Sequence, residues 1–129
     1  LAFSTGTSWG TFGILIPIVC SVFPSGEMLA ISISSCLAGS VCGDHCSPIS
    51  DTTIMASAGA HSDHVNHVST QLPYALTAAA VSMVCYILSG FLGQLSDTLP
   101  VALICLPLAI ILMVATLTGI RIITGKDKT

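Results

Sequence analysis

Long apolar stretches alternate with short polar clusters along the chain, and two of the stretches are long enough to cross a lipid bilayer. Residues 73–95 and 100–121 are almost free of charged side chains, and a spanning helix needs about 20 apolar residues. Each stretch therefore predicts a transmembrane helix. Thr70 and Pro73 suit the cap and the first turn of the first helix, and Pro107 predicts a kink in the second.

The remaining apolar stretches are too short to cross a bilayer alone. Residues 12–23 would form about 18 Å of helix, against a hydrocarbon core of about 30 Å. Residues 28–42 and 49–60 are also apolar, and a polar cluster that ends in Pro48 separates them. We expect residues 28–60 to form one transmembrane helix that is broken at this cluster.

The start of the chain predicts a re-entrant hairpin. Residues 3–11 are rich in glycine and hydroxyl side chains and precede the half-length helix, so we expect residues 1–24 to hold the tip and the second arm of the hairpin. Unpaired backbone at membrane depth is tolerated only where it lines a cavity or is buried in protein. The hairpin tip and the broken helix therefore predict a binding site. A loop is expected over residues 61–72 and a tail over residues 122–129.

The composition supports an all-α integral membrane protein. Of the 129 residues, 53% are hydrophobic and 7% are charged, whereas a soluble domain carries roughly 25% charged residues. The low charge excludes a soluble enzyme and a disordered tail. The three basic residues all lie near the C-terminus, so no basic face is available for nucleic acid and membrane lipid is the expected partner.

The chain starts with Leu1 rather than methionine, and we expect it to be the C-terminal part of a larger multi-pass protein of the plasma membrane. Counting the predicted crossings places the C-terminus on the same side as the loop over residues 61–72. Arg121, Lys126 and Lys128 lie at that end, and basic residues favour the cytoplasm. The C-terminus is therefore predicted to be cytoplasmic.

Two carboxylates and several hydroxyl groups surround the predicted break. An ionisable residue at membrane depth is costly and indicates a functional site, and oxygen ligands suit a hard cation such as Na⁺. A carboxylate that binds either Na⁺ or H⁺, but never both, is the minimum requirement for exchange. Asp44 and Asp51 are the two candidate proton carriers. The candidate ion-binding residues are Asp44, Ser47, Ser50, Asp51 and Thr52 at the break and Thr5, Thr7 and Ser8 at the hairpin tip.

The alternative interpretation of these residues is structural. Asp44 and Asp51 would then cap helices at an interfacial loop, with Ser47 and Ser50 as further caps. The density of polar groups beside a proline favours the ion site.

The histidines of the predicted loop form a second candidate. His64 and His67 are three positions apart and would share a helical face, where Asp63 could join them in a metal site. Imidazole also titrates near neutral pH, which suits a pH sensor. The third alternative, an exposed polar loop in which Asp63 caps the next turn, is preferred, and pH sensing is preferred to metal binding. No cofactor is expected, and no metal beyond a transported Na⁺.

Three blocks of the sequence carry a family resemblance: TGTSWGTFGI over residues 5–14, GDHCSPISDTTI over residues 43–54, and DHVNHV over residues 63–68 followed by TQLPYA. They resemble the C-terminal part of the Na⁺/H⁺ antiporter NhaC family. The resemblance implies a transporter of two inverted repeats with re-entrant hairpins and broken helices, of which this chain would hold most of the second. Cys42, in place of an aromatic residue, and Ser69, in place of a basic one, depart from the family pattern.

The residues and the resemblance together predict a secondary active transporter that exchanges Na⁺ for H⁺, with this chain contributing half of the ion site. The N-terminal half of the same transporter is then a partner, and homo-oligomerisation is left open. The nearest alternative is a Na⁺-coupled organic-anion exchanger of the malate/lactate type. More distant ones are a passive channel and an intramembrane hydrolase, in which Cys46 or Ser47 would be the nucleophile and His45 the base.

Overall fold

The computed structural model describes residues 1–95 and 101–126, and the side chains of residues 1–92 and 103–122. The described part is all α-helical, as predicted. Its helices are α1 (Ala2–Thr5), α2 (Ser8–Val22), α3 (Glu27–Cys46), α4 (Asp51–Gly59), α5 (His64–Leu95) and α6 (Val101–Lys126). The chain divides into two compact units, residues 1–80 and residues 81–129. In the first unit α2 and α1 pack on α3, and α4 also contacts α3.

A two-residue turn separates α1 from α2. Gly6 ends α1 in the left-handed conformation, with φ 65°, and its N–H donates to the Ala2 carbonyl oxygen over 2.8 Å. Thr7 is extended and precedes the first residue of α2, Ser8. The interruption is thus shorter than the predicted tip over residues 3–11, because most of those residues satisfy their backbone within α1 or α2.

The break between α3 and α4 spans residues 47–50. Ser47 is extended, with φ −81° and ψ 127°, the conformation favoured for a residue that precedes proline. The α3 helix reaches Cys46, four residues beyond the predicted end of its apolar stretch, so Asp44 belongs to the last turn of α3. The helix does break beside Pro48, as the sequence predicts.

The prediction of a loop over residues 61–72 is wrong for most of that segment, because α5 begins at His64. Asp63 caps this helix, since its Oδ1 accepts a hydrogen bond from the Asn66 N–H over 2.9 Å. Thr70 is not a cap: its hydroxyl donates to carbonyl oxygens one turn earlier in the same helix. Pro73 lies inside α5, where its missing N–H leaves one carbonyl without its helical partner but does not end the helix.

The last helix is also longer than predicted. It continues through Lys126, beyond the expected end at residue 121, so the first part of the predicted tail over residues 122–129 is helical. Residues 127–129 lie outside the described part of the chain.

Two of the described helices, His64–Leu92 and Leu103–Ile122, are long and apolar enough to cross a membrane, and Ser8–Val22 is a shorter apolar helix. Their large apolar side chains are exposed: Met83 is 63% exposed, Phe91 64% and Leu103 72%. Among the described residues, Ala2 is the one buried hydrophobic side chain, and the other buried residues, apart from Gly6, are polar. This distribution is the reverse of a soluble protein's and is that of a membrane protein.

Candidate functional site

The buried polar residues of the first unit gather around the break. They are regularly spaced along the interrupted helix, three or four positions apart on each side of the break, so each half presents one polar face. All are at most 4% exposed, and Ser47 and Ser50 are fully buried. The set is Ser40, Asp44, Ser47, Ser50, Thr53 and Ser57, with Thr11 of α2 also buried.

Asp44 is the buried carboxylate of this cluster. It is 4% exposed and stands on the last turn of α3, where it faces the start of α4. Its Oδ2 accepts a hydrogen bond from the Thr52 hydroxyl over 3.5 Å. Its Oδ1 is buried and has no hydrogen-bond partner among the described residues. A buried carboxylate oxygen without a partner is costly and is free to bind a cation or a proton.

A chain of hydroxyl groups leads to this carboxylate. The Ser50 and Thr52 hydroxyl oxygens lie 2.7 Å apart. Because a carboxylate accepts and the Thr52 proton is given to Asp44, the Ser50 hydroxyl is the donor to Thr52. The Ser47 hydroxyl accepts a hydrogen bond from the Ile49 N–H over 3.4 Å. The break therefore presents oxygen atoms from three hydroxyl groups beside one carboxylate.

The turn between α1 and α2 lies directly against the break. A Cβ atom added to Gly6 would lie 2.7 Å from the Ile49 carbonyl oxygen. One at Gly43 would lie 3.0 Å from the Ala2 Cβ and 3.1 Å from the Phe3 backbone nitrogen. A Cβ atom has no room at Gly6, and at Gly43 its neighbours would have to move by a few tenths of an ångström, so both glycines favour the close approach of these segments.

The predicted site residues of the hairpin tip are placed differently from those of the break. The Thr5 side chain is exposed and its hydroxyl donates to carbonyl oxygens of its own turn. Thr7 and Ser8 are half-buried. In the described part of the chain no hydrogen bond joins any of these three side chains to the break, and the backbone of Gly6 makes the approach instead.

The second predicted carboxylate, Asp51, is exposed at the first residue of α4. Its Oδ1 accepts a hydrogen bond from the Thr52 N–H over 2.8 Å. This is the arrangement of an acidic residue in the first turn of a helix, so the structural interpretation describes Asp51 well, whereas Asp44 is buried in the cluster.

The structure separates the two histidines. Both ring nitrogens of His64 have partners: Nδ1 lies 3.0 Å from the Ser57 hydroxyl oxygen and Nε2 lies 2.6 Å from the Pro48 carbonyl oxygen. The ring of His67 has no hydrogen bond within the described residues. No group of three His, Cys, Asp or Glu side chains suited to a metal ion is found in the described residues, so the structure does not bring Asp63, His64 and His67 together as a metal site.

The arrangement does not support a nucleophile and base at Cys46 and His45. The His45 ring is exposed, and its Nδ1 lies 3.0 Å from the Val41 carbonyl oxygen of its own helix. A base must reach the nucleophile's proton, and this ring is instead bound one turn away.

Sequence reasoning missed three features of the site: the buried hydroxyl groups of Thr53 and Ser57, the approach of Gly6 to Ile49, and the contacts of His64. The spacing of Ser50, Thr53 and Ser57 along α4 was a usable signal, because positions three and seven apart share one helical face. The other two features depend on tertiary contacts between segments and have no local signal.

Exposed apolar helices, buried hydroxyl groups and an interrupted helix define an integral membrane protein with a polar interior. The chain belongs to the Na⁺/H⁺ antiporter family, since the model of that family matches residues 1–91. The match covers α1 to α4 and most of α5, and so includes the whole cluster around the break.

Relatives of known sequence agree with this assignment. The chain is 55% identical over 93 residues to an uncharacterized protein of Haemophilus influenzae, a match that covers 70% of this chain and 18% of the relative. It is 31% identical to the malate-2H(+)/Na(+)-lactate antiporter of Bacillus subtilis, covering 71% and 20% of the two chains. It is 34% identical to an uncharacterized Na(+)/H(+) antiporter of Haemophilus influenzae, covering 67% and 19%.

The chain spans about one fifth of the length of these curated relatives. No solved structure matches it.

Proposed function

We propose that this chain contributes half of the ion site of a secondary active transporter, a member of the NhaC subfamily, that exchanges Na⁺ for H⁺ across the cell membrane. The observation that carries the proposal is the buried Oδ1 of Asp44, which has no partner among the described residues. The family match and the antiporter relatives support exchange as the activity of the complete protein.

Asp44 is the proposed carrier because it is buried and Asp51 is exposed. A charged carboxylate removed from water is stabilised by a bound cation, and without the cation it is stabilised by taking up a proton. One oxygen pair can therefore hold Na⁺ or H⁺ in turn. Exchange follows if the protein switches the side of the membrane to which the site is open only when Na⁺ or H⁺ is bound.

Oxygen atoms of the break supply the remaining ligands in this proposal. The Ser47 and Ser50 hydroxyl groups are buried in the same cluster as the carboxylate, and the exposed Thr52 hydroxyl is hydrogen-bonded to Ser50 and Asp44. Oxygen ligands of this kind suit a hard cation. Thr5, Thr7 and Ser8 would complete the site only after the segment before α2 changes its position. The repeat expected in the N-terminal half of the transporter supplies the other half of the site.

A second candidate function is Na⁺-coupled exchange of organic anions. It is favoured by the 31% identity to a malate-2H(+)/Na(+)-lactate antiporter. Both functions use the Asp44 site, and they differ in whether Na⁺ moves without an organic anion.

The test uses the full-length transporter in everted vesicles that hold a preset acid interior, with the voltage clamped. Added Na⁺ should collapse the pH gradient, because each entering Na⁺ drives H⁺ out. Asp44→Asn should reduce this response at least tenfold, whereas Asp51→Asn should keep most of it. A response that needs malate or lactate would establish the second function. An unchanged gradient with Na⁺ entry would indicate a channel, and full activity in Asp44→Asn would refute the proposed carrier.

A further inference from the structure

Two cysteines form a thiol pair at the end of α3. Cys42 and Cys46 are four positions apart on this helix, so their side chains share one face. The two thiol groups lie within hydrogen-bond reach of each other, and both residues are free and half-buried. The family pattern has an aromatic residue in place of Cys42, so the pair is not part of that pattern.

The spacing of the pair suits a bridging atom better than a disulfide. Side chains four positions apart on a helix have Cβ atoms about 5–6 Å apart, whereas a disulfide needs a Cβ separation of about 3.5–4.5 Å. An atom bonded to both sulfurs spans a wider gap. Bonds of about 2.3 Å, the length in zinc thiolate sites, let the sulfurs lie more than about 3 Å apart, against about 2 Å in a disulfide.

The number of ligands decides which bridging atom fits. Thiolates select soft centres, but a zinc ion needs three or four protein ligands. The described residues contain no group of three His, Cys, Asp or Glu side chains suited to a metal ion. His45 lies between the two cysteines in sequence, but its Nδ1 is 3.0 Å from the Val41 carbonyl oxygen. The pair therefore suits a soft centre that takes only two protein ligands.

We propose that Cys42 and Cys46 form a dithiol site for trivalent arsenicals that carry one organic group. Such an arsenic atom keeps its bond to carbon and has two positions for sulfur. With phenylarsine oxide, two arsenic–sulfur bonds form and the bond between arsenic and oxygen breaks. The oxygen leaves as one water molecule with the two thiol protons. Arsenic stays trivalent, so the reaction needs no oxidant or reductant.

The site lies on the turn of α3 that carries the buried carboxylate. Asp44 is midway between the two cysteines in sequence and is 4% exposed. Residues two positions apart on a helix point in different directions, so the bridge leaves the carboxylate itself untouched. It ties the last turn of the helix directly before the break. Alternating access requires movement around the ion site, so a bridged turn should slow exchange. This effect rests on the proposed function, but binding of the arsenical does not.

The other cysteines of the chain lack this arrangement. Cys36 is the third cysteine of α3, six positions before Cys42, and therefore lies on another face of the helix. Cys20, Cys85 and Cys105 are each the single cysteine of their own helix. A protein that keeps Cys36 and Cys42 is thus a matched control, because it has two thiols on the same helix at the wrong spacing.

The experiment uses the full-length transporter in which every cysteine except Cys42 and Cys46 is replaced by serine. The protein is treated with phenylarsine oxide, washed with excess monothiol, and weighed by intact mass spectrometry. It should retain one arsenical per chain, with the mass of the reagent less one water, and lose both titratable thiols. The control that keeps Cys36 and Cys42 should retain at least about tenfold less, because two linked thiols bind far more tightly than one. Dithiothreitol, itself a dithiol, should remove the arsenical.

Cys42→Ser and Cys46→Ser, made singly in the two-cysteine protein, should each reduce retention at least about tenfold. In vesicles, the arsenical should remove most of the Na⁺-driven exchange of the two-cysteine protein, relative to the same protein untreated, and dithiothreitol should restore it. Equal retention by the control pair or by either single-cysteine variant overturns the dithiol site. Retention without loss of exchange overturns the effect on transport. Retention as expected, in a transporter that shows no Na⁺-driven exchange before treatment, would refute the proposed function alone.

Discussion

At the scale of single residues, Gly6 lies directly against the break, beside the Ile49 carbonyl group. Its φ of 65° is in the left-handed region, and an added Cβ would meet the Ile49 carbonyl oxygen at 2.7 Å. An L side chain in this conformation costs about 1–2 kcal/mol, and the contact with backbone adds to that. Gly6→Ala should therefore lower the apparent melting temperature of the full-length transporter and reduce Na⁺-driven exchange by about tenfold.

Gly13→Ala is the matched control for this variant. Gly13 lies inside α2 and an added Cβ there would have no neighbour within 4 Å. Replacing a helical glycine by alanine stabilises by about 0.5–1 kcal/mol, so this variant should melt at the same temperature or slightly higher. Equal melting temperatures and activities for the two variants would show that Gly6 does not hold the break.

The two aspartates show how far single residues can be predicted from a sequence. Both Asp44 and Asp51 were expected beside the break, and both are there. Which of them is buried depended on the last turn of α3, which continues to Cys46 and carries Asp44 inward with it. Tertiary packing decides which face of a helix end is buried, and so which of its polar residues are buried. Local sequence does not specify that face.

At the scale of elements, the packing of α1 on α3 depends on Gly43, one residue before the buried carboxylate. An added Cβ would lie 3.0 Å from the Ala2 Cβ and 3.1 Å from the Phe3 nitrogen. Gly43→Ala should push α1 away from α3, lower the melting temperature by several degrees and weaken exchange, because close helix approach in membranes relies on small residues. Thermal unfolding and vesicle transport of the full-length protein measure both effects.

Gly39 offers a comparison on the same helix, four residues earlier, where an added Cβ has no neighbour within 4 Å. Gly39→Ala should leave the melting temperature unchanged or raise it, by the helix preference of alanine. If Gly43→Ala and Gly39→Ala have the same melting temperature and the same transport activity, α1 does not pack closely on α3.

The helices themselves were predictable to different degrees. The break at Pro48 followed from proline chemistry alone, and α6 from its long apolar stretch. The start of α5 was misplaced because Pro73 was interpreted as a first-turn proline, whereas the capping hydrogen bond comes from Asp63. The first turn of α5 is polar and has the composition of a loop, so composition alone does not predict a helix there. Its helical state is decided by the Asp63 cap and by the contacts of His64.

At the scale of the whole molecule, the described chain is a membrane protein whose buried polar cluster leaves one carboxylate oxygen without a partner among the described residues. The apolar side chains of α5 and α6 are exposed. The curated relatives are about five times longer than the matched segment. The remaining length has room for the second half of the proposed ion site, which is why activity must be measured on the full-length transporter.

The sides of the membrane give the last prediction. Since α5 and α6 are each long enough to cross once, the segment before α5 and the end of α6 should lie on the same side, and the basic C-terminal residues favour the cytoplasm. In the cysteine-free full-length transporter, Ser62→Cys and Thr129→Cys should react with a membrane-impermeant maleimide in everted vesicles but not in intact cells. Ser25→Cys, between α2 and α3, should show the opposite pattern. If Ser62→Cys and Thr129→Cys react from opposite sides, one of the two helices does not span the bilayer, and the arrangement of the break relative to the membrane would have to be reassigned.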